Sequence, residues 1–124
     1  MTNDKRLFVD IDDTLVKWLP RSSNASPTGH YMGDSWVANE PLIRGIRQFR
    51  EDNPDTMIVV WSSGGKEYAR SWVNRLFSGE LLAILSVDKT PEIARVLVRP
   101  QDIVVDDVVD FPCSATIYKP DEWP

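Results

Sequence analysis

Apolar residues fall along this chain in two alternating rhythms. Leu7-Phe8-Val9 is a short unbroken apolar run that ends in acid, which predicts a buried strand. Beyond residue 39 the spacing turns helical: Asn39 stands as an N-cap with Pro41 in the first turn, and Leu42, Ile43, Ile46 and Phe49 recur down to Asn53-Pro54. A run of β-formers over 56–61 gives a second buried strand. It leads into Ser62-Ser63-Gly64-Gly65 and a helix whose apolar stripe is Tyr68, Trp72, Val73, Leu76 and Phe77. Residues 81–87 read as a third strand, although Leu81 to Leu85 also suits a helical turn by pattern alone. Thr90-Pro91-Glu92 opens a further helix, with Ile93, Val96 and Leu97 expected to face inward and Arg99-Pro100 to stop it. Ile103-Val104-Val105 and 115–118 are the fourth and fifth strands, and 119–124 is left as a tail.

Strands alternating with helices predict an α/β domain, a doubly wound, Rossmann-like parallel sheet of about five strands with helices on both faces. Ligands bind such sheets beyond the carboxyl ends of the strands, where strand order reverses. Asp10, Ser62 and Asp106-Asp107 each close a strand, so the pattern alone brings residues distant in sequence to one rim. Residues 16–39 interrupt the alternation. About 20 residues without clear periodicity is long for a plain connection, and the segment reads either as a flap over the rim or as a surface loop whose aromatics pack back on the core.

The 124 residues make one domain over 1–124, with no room for a large cap domain. A formal charge of −5 and a pI near 4.8 speak against a broad nucleic-acid-binding face. The single cysteine, Cys113, excludes an internal disulfide and reads as a small packed side chain rather than a nucleophile. No apolar signal-peptide core opens the sequence and no run approaches the length of a membrane span, so a soluble, cytoplasmic protein without membrane partners is the expectation.

Three carboxylates, Asp10, Asp12 and Asp13, crowd the end of the first strand. Acids so placed need positive charge among their oxygens, and a hard divalent cation such as Mg²⁺ is the usual answer. Asp10-Ile11-Asp12-Asp13-Thr14 resembles the Asp-x-Asp-x-Thr signature of the haloacid dehalogenase superfamily, whose members are mostly Mg²⁺-dependent phosphatases. In that family a strand ending in Ser or Thr, then a Lys, then a strand ending in an acidic cluster follow the signature. Here Ser62, Lys89 and Asp106-Asp107-Val108-Val109-Asp110 stand in that order. Taken singly, Ser62 also suits an ordinary strand-end cap and Lys89 a solvated lysine before a helix. Asp106-Asp107, directly after a buried strand, calls for a cation or hydrogen-bond donors.

The resemblance implies a capless, HAD-like phosphomonoesterase working through an aspartyl-phosphate. Asp10 would be the nucleophile, Asp12 the general acid and then base, and Thr14 a brace for the turn. Mg²⁺ would be held by Asp10, the backbone carbonyl of Asp12 and Asp107, with Asp106 and Asp110 behind them or as alternatives. Ser62 and a neighbouring amide would grip the phosphate and Lys89 offset its charge, with Lys66 and Arg95 as rivals for that place. Gly64-Gly65 at a helix start suits close approach by an anion. An open site goes, in the family, with phosphorylated protein or nucleic-acid ends, or with capping by a partner subunit, so a homo-oligomer is among the implied partners. Trp18, Tyr31 and Trp36 could instead stack the base of a nucleotide. A receiver-type phosphoacceptor domain uses similar residues but carries its acidic pair at the first strand and the accepting Asp at the third. That order is wrong here, and a catalytically idle Mg²⁺-binding domain is the other alternative.

Overall fold

Leu7, Phe8 and Val9 are all fully buried, so the first strand is covered on both faces, as in a parallel sheet sandwiched between helices. The computed structural model describes residues 5–18, 36–77, 83–108 and 115–123. Its elements, in chain order, are β1 Leu7–Asp10, β2 Val16–Trp18, β3 Trp36–Ala38, α1 Glu40–Asp52, β4 Ile58–Ser62, α2 Lys66–Leu76, β5 Ile84–Asp88, α3 Pro91–Leu97, β6 Ile103–Val105 and β7 Thr116–Tyr118. Five strands form one parallel sheet in the order β5-β4-β1-β6-β7. From β1 the chain steps outward to β4 and β5, then returns across the sheet to β6 and β7. The order therefore reverses between β1 and β6, where a Rossmann-like sheet opens its crevice.

The period of two along each strand sorts the core into two layers. Leu7, Val9, Ile58, Val60 and Val105 face α1 and α2, where Ile46, Phe49, Trp72 and Val73 meet them. Phe8, Val59, Trp61 and Val104 face the other way, onto Ala94 of α3, with the rings of Phe8 and Trp61 5.0 Å apart. The helix ends follow the sequence. Asn39 caps α1 by accepting from the Leu42 N–H, and Thr90 caps α3 by accepting from that of Ile93, each with Pro in the first turn.

Three expectations change. Among the described residues the third strand runs Ile84–Asp88, since Ala83 before it has a φ of 54° outside the extended region; residues 81–82 of the expected strand lie outside the described residues. Val96 points outward and is 86% exposed: on a helix of 7 residues it lies two positions from the buried Ala94, on the opposite side. The presumed tail returns to the core, with Trp123 packed 5.9 Å from Phe49. The ends of the 16–39 segment, β2 and β3, pair antiparallel, with Trp18 opposite Trp36; its middle, with Tyr31, lies outside the described residues, as do Asp110 and Cys113. At the rim opposite the crevice Asp102, fully buried, is held by Arg6 and Arg99 at 2.9 and 3.2 Å, tying the start of β6 to the start of β1. Among the described residues no helix is long and apolar enough to cross a membrane.

Candidate functional site

The crevice is built where β1 stops. The Ile11 carbonyl accepts N–H bonds from Thr14, Leu15 and Val16, and Asp13 takes a left-handed φ of 60°, so the chain turns sharply and re-emerges as β2. Asn39 fixes this turn from outside, donating its side-chain amide to the Thr14 carbonyl at 2.9 Å and its backbone N–H to that of Leu15 at 2.8 Å. The hydroxyl of buried Thr14 in turn donates to Asp10 Oδ2 at 3.2 Å, so the turn orients the Asp10 carboxylate.

Asp10 then meets the end of β6. Carboxylate oxygens of Asp10, Asp106 and Asp107 lie within 4.8 Å of one another. Lys89, directly after β5, places its ammonium 3.2 Å from Asp10 Oδ1 and 2.5 Å from Asp106 Oδ2. Its own N–H donates to the Ser62 carbonyl, which ties the end of β5 to that of β4. Asp106 also accepts from the Val108 N–H, so both its oxygens are engaged, whereas the Asp107 carboxylate has no hydrogen bond or ion pair among the described residues. Lys119 donates to the Asp107 carbonyl at 2.9 Å and holds that residue at the rim.

One ammonium among three carboxylates leaves a formal charge of −2, which is costly to hold in a buried crevice. Burial, then repulsion from Asp106, carries the Asp10 carboxyl from its ordinary 3.8 to about 7, against the attraction of Lys89. Burial likewise pushes Asp106 up despite its bond to Lys89. Burial works against the Lys89 ammonium, but its bond to Asp106 and the charges of both aspartates hold its pKa above the ordinary value. A hard dication with oxygen ligands matches this donor set in charge and in chemistry.

Asp12 stands apart from the three. Its Oδ1 accepts from Trp18 Nε1 at 3.0 Å and from the Tyr68 hydroxyl at 2.7 Å, while the residue still borders the cavity. That cavity, about 360 Å³, is lined by Asp10, Asp12, Lys89, Asp106 and Asp107 together with Ser63. Ser62 is buried behind it, its hydroxyl accepting from the Gly64 N–H at 3.0 Å. Ser63 is thus the serine that borders the cavity, and Ser62 supports the turn carrying it. Lys66 and Arg95 are exposed on their helices and line no part of the cavity, which leaves Lys89 as the ammonium at the crevice.

Two expectations about ligand contacts meet physical obstacles. The start of α2 does hold an anion, but it is the chain's own: Asp88 accepts from the Lys66 N–H at 2.6 Å, and its Oδ1 lies 3.6 Å from where a Cβ on Gly65 would be. Trp18 and Trp36 are committed to packing, edge-on to Trp72 at 6.0 and 4.8 Å with Arg75 over Trp72, so no described aromatic residue lines the cavity for a base to stack on. Sequence reasoning missed Tyr68 and Trp18 as donors and Asn39 as the brace. The signal was present only in Tyr68, a stripe residue with a polar tip. No protein-family model, curated protein or solved structure matches this chain.

Proposed function

We propose that this chain is a Mg²⁺-dependent phosphomonoesterase of the haloacid dehalogenase type. The observation that carries the reading is the meeting, at the strand-order reversal, of Asp10, Asp106 and Asp107, the first two paired with the Lys89 ammonium, with Asp12 beside them on the same cavity. The order of Asp10, Asp12, Ser62, Lys89 and Asp107 along the chain supports it further. Asp10 and Asp107 would hold the cation, with the Asp12 carbonyl as a third ligand and Asp106 bound mainly to Lys89. The bound ion would supply positive charge to the phosphoryl oxygens as they become more negative in transfer.

The Asp10 carboxylate attacks phosphorus, forming the aspartyl O–P bond as the bond to the leaving oxygen breaks. Asp12 gives its proton to that oxygen and then takes one from the water that attacks phosphorus, releasing phosphate and restoring Asp10. Lys89 offsets the charge gathered on the phosphoryl group and favours the ionised form of Asp10 that attacks. Ser63, which borders the cavity, would donate to a phosphate oxygen. The test is hydrolysis of p-nitrophenyl phosphate with Mg²⁺ and with chelator, together with acid trapping of the phosphoenzyme. Mg²⁺-dependent turnover and a hydroxylamine-labile phosphate on Asp10 are expected. Mg²⁺ binding without turnover across nucleotide, sugar and peptide phosphates would overturn the reading in favour of an idle binding domain.

A further inference from the structure

We infer that Trp18 and Tyr68 are positioning residues that clamp one oxygen of Asp12 and so present the other to the leaving group. The inference rests on the phosphatase reading and goes beyond it by giving the β2–β3 hairpin and helix α2 a part in proton transfer. Two donors from elements distant in sequence converge on one atom: Trp18 Nε1, from β2, at 3.0 Å and the Tyr68 hydroxyl, from α2, at 2.7 Å, both on Asp12 Oδ1. Asp12 Oδ2 has no hydrogen bond or ion pair among the described residues, although Asp12 borders the cavity.

The asymmetry has a chemical consequence. An oxygen already accepting two hydrogen bonds has little capacity left for proton transfer, which leaves that task to Oδ2. Both donors are neutral. They fix the direction of the carboxyl without setting a second ammonium or guanidinium beside it, whereas Asp10, two residues earlier, is held by the cation of Lys89.

Each donor is itself held. The Trp18 ring stands edge-on to Trp72 of α2, 6.0 Å between centroids at 82°, and its backbone is paired with Trp36. The Tyr68 ring lies close over Gly64, where a Cβ would come within 3.3 Å of it, so residue 64 leaves the ring the place from which its hydroxyl reaches Asp12. Packing alone would be served equally by Phe at position 68. The hydroxyl is what the packing does not explain.

The experiment is a leaving-group series, from p-nitrophenyl and phenyl to alkyl phosphates, run with Mg²⁺ on wild type, Tyr68→Phe, Trp18→Phe, Asp12→Asn and the Tyr68→Phe/Asp12→Asn double variant. Tyr68→Phe removes one oxygen and keeps the ring, so it serves where Trp18→Phe disturbs the aromatic packing. Loss of one hydrogen bond to a carboxylate should lower kcat/KM for alkyl phosphates about tenfold and leave p-nitrophenyl phosphate within about twofold, because a good leaving group needs little protonation. In the Asp12→Asn background the Tyr68→Phe change should have almost no further effect on phenyl phosphate, since both act on one proton. Equal loss on aryl and alkyl esters, or full additivity with Asp12→Asn, would overturn the clamp while leaving the phosphatase reading intact. Absence of Mg²⁺-dependent hydrolysis by the wild type would overturn both.

Discussion

Replacing Asp10 by Asn should stabilise the metal-free protein while removing its response to Mg²⁺, and the structure sets the size of the effect. Folding carries the Asp10 carboxyl from 3.8 to about 7, because burial and Asp106 together outweigh Lys89. A raised carboxyl pKa means that the folded chain binds a proton that the unfolded chain has released, so stability falls as pH rises between these two values and levels off above the upper one. Such a displacement corresponds to about 4 kcal/mol when the metal-free protein is above neutral pH. Asn keeps the shape of the side chain and can still accept from Thr14, and Lys89 retains Asp106, the closer of its two partners. Allowing for what the lost ion pair contributed, Asp10→Asn should gain on the order of 2–4 kcal/mol in chelator at pH 8, which is roughly 10 °C in Tm for a chain of this size. At pH 5 the wild type already holds the proton, and the gain should shrink to about a third. Mg²⁺ should narrow or close this gap: at a hundredfold excess over Kd it adds about 2.7 kcal/mol to the wild type and much less to a variant lacking one of the three carboxylates. The measurement is thermal denaturation followed by tryptophan fluorescence, at both pH values, with Mg²⁺ and with chelator. A variant melting at or below wild type at pH 8 in chelator, or a gap that does not narrow at pH 5, would refute the electrostatic account of the crevice.

Lys89→Ala should act in the opposite sense, destabilising the metal-free protein by about 3 kcal/mol, as loss of one partner of a buried pair does, and lowering turnover by 10²-fold or more; Lys66→Ala should leave both unchanged. Thermal melts and p-nitrophenyl phosphate kinetics on the two variants decide this, and an inactive Lys66→Ala beside a normal Lys89→Ala would move the cation to α2. Asp102→Asn should destabilise by roughly 2–4 kcal/mol without changing KM or Mg²⁺ affinity, since Asp102 ties β1 to β6 at the far rim. Burial opposes its charge, but hydrogen bonds from Arg6 and Arg99 hold its pKa below the ordinary 3.8, so its contribution is full above that value and is lost only as pH falls through the lower folded one. The cost of Asp102→Asn in urea titrations should therefore be the same at pH 8 and pH 5, unlike that of Asp10→Asn.

The sheet was legible because its signals are local. The central strands β1, β4 and β6 are apolar runs closed by a polar residue, and a parallel sheet covered on both faces there asks no more of them than that. The helix caps were equally plain, since Asn39 and Thr90 each precede a proline and an apolar repeat. Signals failed where two elements compete for one position. Val96 satisfies the helical repeat as well as Ile93 does, but α3 is too short to bury both sides, and small Ala94 sets which side meets the sheet. Residues 119–124 have no periodicity at all, yet Trp123 packs back on the core beside Phe49 of α1.

The crevice divides along the same line. Asp10, Lys89, Asp106 and Asp107 close or follow strands, and in a parallel sheet such positions meet at one rim whatever the detailed register, so their convergence follows from the pattern. The side-chain bonds that distinguish Asp12 from Asp10 do not. They depend on the left-handed turn at Asp13, on Trp18 standing opposite Trp36, and on Tyr68 using its polar tip while its ring fills the stripe. The α2 N-terminus shows the opposite error: Gly64-Gly65 reads as an anion site because the backbone is open, yet Asp88, aligned with Ser62 across β4 and β5, reaches it first. Two carboxylates separated by one residue thus stand in different surroundings, Asp10 with an ammonium and two further acids, Asp12 with two neutral donors. Under the proposed reading that difference in partners separates the roles, the attacking carboxylate being set beside a cation and its neighbour being oriented through a single oxygen.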